Sequence, residues 1–355
     1  PLGSACNPAD IFLPTILWGP AYAGQVATGQ CVSRAYYAMG YREEVHASGA
    51  LVSGNLVGGT DQYGRPFGSH CFEFAASGMF ATSFMDGLDT AISDFNPEGD
   101  MGDAEIWEQS MPPIWLSREI RKDGGGFGKF RGGSGIHSLY MVPDGPDLDM
   151  GSFGTAPIFT SPGMMGGYPA PALYAWVGRG TNLKELIARQ QPIPGSEGDP
   201  ADPDFVRMVD ADWTFVHGQN YPTRPIEAYS LYSVTSGDAS GYGDVLERKP
   251  ELVAQDLRNG VTTLRVARDV YGVVVDPDTF EVDAEATEQL RTSIRQERLR
   301  KGVPAAEYRR RVRERVLAKD FPPPVAALYR DVLANSKKFA AEFRAFWDLP
   351  DDYEV

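Results

Sequence analysis

The rhythm of apolar positions along this chain changes twice, and the changes divide it into stretches of different character. From residue 5 to 212 the apolar runs are short. Ala50-Leu51-Val52 and Phe72-Glu73-Phe74 lie between turn signals at Gly58-Gly59, Gly64 and Pro66-Phe67-Gly68. This spacing predicts short strands joined by loops. Glycine clusters recur at Gly124-Gly125-Gly126, Gly132-Gly133, Gly135 and Gly166-Gly167, a density that marks tight turns or close approach of backbone. From Arg189 to about Asp212 the sequence turns polar, with Pro192, Pro194, Pro200 and Pro203, as a surface excursion would.

Residues 213 to 282 predict a loop, two short helices and a hairpin. Pro250 suits a first helical turn, Leu252, Val253 and Leu257 share a face, and Gly260 ends the helix. Thr262 can cap a second helix ending near Asp269. Tyr271–Val275 and Phe280–Val282 flank the turn Asp276-Pro277-Asp278-Thr279. Residues 283 to 355 form a helical C-terminal arm. Asp283 opens a helix to about Arg300, another follows Pro304 to about Lys319, and Pro322-Pro323-Pro324 precedes a single amphipathic helix with Leu328, Val332, Phe339, Phe343 and Phe346. The expected class is α+β: an irregular strand-rich, glycine-rich body with a C-terminal helical region.

Charge narrows the partners. With 33 basic and 48 acidic residues the chain carries a formal −15, which disfavours nucleic acid and anionic membranes. Basic residues crowd Arg291–Arg315, either pairing with Glu288, Glu297, Glu307 and Glu314 along the helices or docking an acidic partner. No apolar run approaches the ~20 residues that span a bilayer. Three scattered cysteines, Cys6, Cys31 and Cys71, fit a reducing compartment. A cytoplasmic protein is expected. Pro1-Leu2-Gly3-Ser4 reads as an expression-tag scar.

Catalytic signatures are missing. Near Gly128-Lys129 a phosphate-binding loop fails, because Phe130 follows where Ser or Thr should bind magnesium. There is no G-x-G-x-x-G, H-E-x-x-H, C-x-x-C or G-x-S-x-G. His46, His70, His137 and His217 are far apart, none with metal-ligand spacing to another ligand type. His70 and Cys71 make a poor nucleophile pair, since neighbours on a strand point to opposite faces. Asp103 and Glu105, read as strand carboxylates, are weak candidates for proton transfer.

Two segments are specific enough to carry a resemblance. One runs from Asp103-Ala104-Glu105-Ile106-Trp107-Glu108 through Met111-Pro112-Pro113-Ile114 to Asp123-Gly124-Gly125-Gly126-Phe127-Gly128-Lys129-Phe130-Arg131-Gly132-Gly133-Ser134-Gly135. The other is Ser236-Gly237-Asp238-Ala239-Ser240-Gly241-Tyr242-Gly243-Asp244-Val245-Leu246-Glu247-Arg248, followed by Pro250, Val253, Asp256, Gly260, Ala267 and Tyr271-Gly272-Val273-Val274. Together they resemble the C-terminal half of the hydantoinase B family. Asp86-Gly87 with Asn96 adds to the likeness, and Met164-Met165-Gly166-Gly167-Tyr168-Pro169 looks closer to the ketone carboxylases, the alpha-type subunits of acetone and acetophenone carboxylases.

The resemblance implies a subunit of an ATP-dependent ketone carboxylase that makes a 3-oxoacid from a ketone and bicarbonate, inactive as an isolated chain. A subunit of a hydantoinase or 5-oxoprolinase type cyclic amide hydrolase, or a non-catalytic assembly subunit, are the alternatives. ATP and a divalent metal, manganese or zinc, are expected on partner chains, with no metal site in this one. The implied partners are a hydantoinase A-like ATP-binding subunit, a companion N-terminal hydantoinase B-like chain carrying the metal and a small third subunit. Family subunits are longer, so a natural split or a shortened chain is expected. Catalytic residues are unknown.

Candidates for substrate or anion binding come from the matched loops: Lys129, Arg131, His137, Tyr168, Ser236, Asp238, Gly241, Gly243, Asp244 and Arg248. Lys129 and Arg131 offer positive charge to bicarbonate or phosphate. Gly241 and Gly243 leave backbone amides accessible for an anion, with Asp238, Asp244 and Arg248 orienting it. A fixed loop in which Arg248 pairs with Asp244 or Glu247 is the structural alternative. Tyr168 and Trp176 are candidates to line an apolar ketone pocket.

Overall fold

The computed structural model describes residues 15–43, 45–49, 53–71, 76–91, 102–145, 147–154, 160–172, 175–194, 209–215 and 220–355. The tag scar, Cys6, the runs Ala50-Leu51-Val52 and Phe72-Glu73-Phe74, Asn96, Pro200, Pro203 and His217 lie outside the described residues. One compact unit is Ala21–Arg291 and the other takes in Thr292–Val355.

The larger unit is built on two antiparallel sheets. One has the order β2-β1-β5-β8, using β1 (Ser53–Thr60), β2 (Pro66–Cys71), β5 (Leu148–Gly154) and β8 (Asn220–Ile226). The other has the order β3-β4-β9-β6-β7, using β3 (Ile114–Ile120), β4 (Ile136–Met141), β6 (Ala175–Arg179), β7 (Asp212–Phe215) and β9 (Leu231–Thr235). Central strands β4 and β9 are buried at every position, so their side chains divide between two cores with the period of two that a pleat imposes. Tyr140, Tyr232 and Val234 face Val57, Leu148, Met150 and Ile226 of the other sheet. Leu139, Met141 and Leu231 face the opposite way, onto Leu183 of α3 (Leu183–Ala188) and Val209. The sheets therefore stack as a sandwich whose back is closed by a helix.

Two elements depart from the strand-rich reading. Thr15–Met39 is a 25-residue helix, α1. Its apolar and small residues run around it without a 3.6-residue stripe, and Gly19, Gly24 and Gly29 dilute its propensity, so the pattern hides it. Asp103 and Glu105 are not on a strand either. Asp103 caps α2 (Ala104–Ser110), its carboxylate accepting the Glu105 amide at 2.8 Å. His70 and Cys71 occupy consecutive positions of β2.

Downstream, α4 (Pro250–Arg258) starts at its proline and stops before Gly260. Helix α5 (Leu264–Asp269) is capped by Thr263, one residue later than expected, with its side chain on the Val266 amide. The expected hairpin is reduced to an isolated Val275–Val282 bridge. Helix α6 (Ala284–Lys301) follows.

In the smaller unit α7 (Ala305–Leu317), α8 (Pro323–Asn335) and α9 (Lys337–Trp347) surround Val316, Phe343 and Tyr353. The last amphipathic stretch is thus two helices, not one. Ser336 adopts extended backbone at φ −129° and its hydroxyl accepts the Phe339 amide, ending α8 and starting α9 in one residue. Tyr353 pins the C-terminus by donating to the Val316 carbonyl at 2.5 Å. Basic side chains here pair along their own helices, Arg310 with Glu314, Arg311 with Glu307 and Lys301 with Glu297. Among the described residues no helix is long and apolar enough to cross a membrane.

Ser336→Ala should lower stability by about 1 kcal/mol through loss of the cap, measured by urea denaturation. An unchanged midpoint would mean that α8 and α9 join as one helix in solution.

Candidate functional site

All ten candidate residues belong to the larger unit, and most of them converge where the two long motifs cross. The crossing is made by backbone. Phe130 and Tyr242 exchange paired N–H···O bonds of 3.0 and 2.9 Å. Gly126 N–H reaches Ala239 O at 2.8 Å, and Ala239 N–H reaches Gly133 O at 3.0 Å. A third segment, Met164–Tyr168, joins through Gly241 N–H to Tyr168 O (3.1 Å) and Gly243 N–H to Met164 O (2.9 Å). The Gly241 and Gly243 amides are therefore engaged inside the crossing, and the expected open anion cradle is replaced by a closed one.

Glycine is required here for proximity. A Cβ on Gly133 would lie 1.9 Å from the Leu88 carbonyl oxygen, and one on Gly241 would lie 2.3 Å from that of Phe127. Both neighbours are backbone and cannot step aside. Glycine density in the sequence thus reports chain packed on chain.

Charge is concentrated beside the crossing. Arg248, at 0% side-chain exposure, makes a two-pronged pair with Asp86 at 2.6 and 2.8 Å and reaches Asp256 at 2.7 Å. It does not pair with Asp244 or Glu247. Arg131 makes a second fork onto Asp89 at 2.7 and 2.9 Å and touches Asp256 at 3.2 Å. The carboxylates also tie down backbone: Asp86 accepts the Arg131 amide at 2.9 Å and Asp89 accepts the Ser134 amide at 2.7 Å. Burial works against the Arg131 cation, but the Asp89 hydrogen bond and the charges of Asp256, Asp89 and Asp86 outweigh it and hold its pKa above the ordinary value. The same balance, with Asp86 leading, holds for Arg248. Its guanidinium lies 5.7 Å from the Tyr271 ring centre, and burial pushes the Tyr271 phenol well up. Arg291 closes the rear, donating to Tyr271 O at 3.0 Å and Arg248 O at 2.8 Å.

Asp238 anchors a second buried pair. It meets Arg121 at 2.5 Å and accepts the Gly135 amide at 2.8 Å. Burial raises its pKa while the Arg121 charge opposes. Ser236 is also internal, its hydroxyl donating to Ala76 O at 3.0 Å and accepting the Ile136 amide at 2.6 Å. Asp244 caps the 3-10 turn Val245–Glu247. His137 is buried on β4, Nε2 2.7 Å from the Ser233 hydroxyl. Trp176 is half-buried on β6.

Two candidates reach solvent. The Lys129 side chain is 42% exposed with a loose 3.4 Å contact to Glu247. Tyr168 is 44% exposed, its ring 6.3 Å edge-on from Phe127. Arg121 and Asp89 are not marked by any sequence signal, and Asp123 enters the sequence only as the first position of the glycine run. Asp123, at φ 54°, accepts from Thr262 Oγ (2.6 Å), Thr263 N (2.9 Å) and Thr263 Oγ (2.8 Å), tying the first motif to the start of α5. The side-chain partners of these three lie 42 to 140 positions away, so no local spacing reveals them.

Among the described residues no group of three or more His, Cys, Asp or Glu could hold a metal ion. Asp86, Asp89 and Asp256 do come together, but two arginines occupy their oxygens. The described residues do not fit a metal centre, and Phe130 after Gly128-Lys129 does not fit a phosphate loop for ATP.

Comparison with known proteins gives this geometry a family. The hydantoinase B/oxoprolinase profile matches residues 7–245, and the chain belongs to that family. It is 39% identical, over all of its length and 47% of the relative's, to the acetone carboxylase alpha subunit of Xanthobacter autotrophicus (strain ATCC BAA-1158 / Py2). It is 28% identical to the acetophenone carboxylase delta subunit of Aromatoleum aromaticum (strain DSM 19018 / LMG 30748 / EbN1), over 72% of this chain and 37% of that one. The nucleotide-free structure of acetone carboxylase, solved for the mechanism of ATP-dependent acetone carboxylation, superposes with a TM-score of 0.83 at 38% identity. That match covers 92% of this chain and 44% of the other. The chain spans under half the length of the curated relatives it matches.

Arg248→Met should cost roughly 3–5 kcal/mol, because Asp86 and Asp256 lose their shared cation. Gly133→Ala should abolish soluble protein, whereas Gly64→Ala, with nothing within 4 Å of its Cβ, should cost only about 1 kcal/mol for its left-handed φ. Soluble yield of Gly133→Ala and thermal melts of the other two variants check this, and a soluble, folded Gly133→Ala would refute the close crossing.

Proposed function

We propose that this chain is part of an ATP-dependent ketone carboxylase, a multi-subunit enzyme that joins a ketone to bicarbonate to give a 3-oxoacid. The observation that carries the reading is 39% identity, extending over the whole chain, to an acetone carboxylase alpha subunit. A second relative is also a ketone carboxylase subunit.

Within that enzyme the chain acts as a rigid wall. Arg131, Arg248, Ser236, Asp238 and the glycines of the crossing fix the loops, while Lys129 and Tyr168 meet the ligand. Lys129 has the reach and the freedom to hold an anion such as bicarbonate, since its contact to the exposed Glu247 is long. Tyr168 supplies an aromatic edge to the apolar part of a ketone. ATP and the divalent metal are placed on other parts of the complex, on a hydantoinase A-like subunit and a companion hydantoinase B-like chain, and the site of action is the cytoplasm.

The test is ATP turnover by the complex isolated from the native host. Hydrolysis that requires both ketone and bicarbonate supports the reading, and hydrolysis driven by a cyclic amide without bicarbonate overturns it. In the active complex Lys129→Ala should raise the KM for bicarbonate about tenfold, the loss of one charge-assisted hydrogen bond of roughly 1.5 kcal/mol. Its melting temperature should be unchanged. An unaltered KM would remove Lys129 from the site.

A further inference from the structure

Helix α1 ends in an aromatic cluster that the crossing does not use. Gly40 takes φ 93° after Met39, the Tyr41 amide reaches back to Tyr36 O at 3.0 Å, and the Gly40 amide reaches Tyr37 O at 3.1 Å. This is the Schellman arrangement, and the apolar contact that accompanies it is Tyr41 against Tyr36, edge-on with ring centres 6.1 Å apart. Arg42 stacks on Tyr37 with 3.8 Å to the ring centre. A second turn, Thr82–Met85, lies alongside. Ser83 bonds the Val45 carbonyl at 3.0 Å through its amide and the Arg42 carbonyl through its hydroxyl, and His46 bridges Thr82.

The joined turns present Tyr36, Tyr37, Met39, Tyr41, Phe84 and Met85, all exposed, with Met39, Tyr41 and Phe84 more than half exposed. Soluble surfaces scatter such side chains singly, and a contiguous group marks an interface. The types are those that interface centres favour: tyrosine, phenylalanine, methionine and a stacked arginine. Tyr36, Tyr37 and Tyr41 are also held by their neighbours before any partner arrives, which lowers the entropy cost of association.

We propose that this surface docks the part of the family subunit that this chain does not cover. Its matched relatives carry more than half of their length beyond the match, 53% for the acetone carboxylase alpha subunit by subtraction of 47% from 100%. A fixed apolar surface is what such a neighbour would bury. A second copy of this chain is a poorer occupant, because each copy brings a formal −15 and like charge opposes self-association. The inference rests on the complex proposed above and names the face through which it forms.

The experiment titrates the purified chain with the recombinant polypeptide from the same organism that aligns with the unmatched length of the relative. Affinity is measured by calorimetry and size by sedimentation. Met39→Lys and Phe84→Ser should each weaken binding at least about tenfold and leave the melting temperature unchanged. Leu299→Lys, at an exposed apolar position of α6, should bind as the wild type does. Equal binding by Met39→Lys, Phe84→Ser and wild type would overturn the surface while the complex stands. No binding by the wild type, with host-purified complex still active, would overturn it too. A wild-type dimer that the two variants abolish would assign the surface to self-association instead.

Discussion

A guanidinium that has lost all contact with water must find negative partners or the loop that holds it cannot close, and Arg248 sets that condition for the whole crossing. Its two partners come from different places, Asp86 from the turn before the first motif and Asp256 from inside α4. Asp256 then passes the constraint to Arg131, and Arg131 passes it to Asp89. Two cations and three carboxylates form one interlocked set, each member held in place by the others, while the buried Arg248 Nε is left without a partner among the described residues. The same carboxylates accept the Arg131 and Ser134 amides, so charge and chain path are fixed together.

That arrangement explains why the basic residues of the glycine motif play unequal parts. Arg131 and Lys129 are two positions apart, yet one is locked in a fork and the other extends toward solvent. Planar, bidentate geometry suits an internal carboxylate, and a flexible ammonium suits a ligand that comes and goes. The rigid members give the exposed ones a defined position, as a support should.

Much of the fold was legible because local signals survive in the C-terminal half: Pro250 and Gly260 bracket α4, and Gly302 with Pro304 separates α6 from α7. The miss at α1 has a physical cause, since a helix that shows no apolar stripe gives periodicity nothing to detect. Ser336 was overlooked because the apolar pattern continues through it in register, and only its backbone angle breaks the helix. At the candidate site the motifs drew the eye to the right segments, but their roles could not be read from them. Accessible amides and amides bonded to a crossing strand look alike in a glycine run, and Arg248 near Asp244 in sequence finds Asp86, 162 positions away, in space.

Those separations bear on the order in which the chain can fold. A nascent chain exposing Asp86 and Arg131 has no Arg248 or Asp256 to receive them until most of the larger unit has been made. Contacts closing loops of 103 to 162 residues, Gly135 to Asp238 and Asp86 to Arg248, form late and slowly, because chain entropy must be lost before they reward it. The sandwich of β1–β9 has closely spaced pairings such as β1 with β2 and β3 with β4 to build on in the meantime. Maturation of this protein should therefore finish at the crossing, so that the buried charges are paired as the last step of folding.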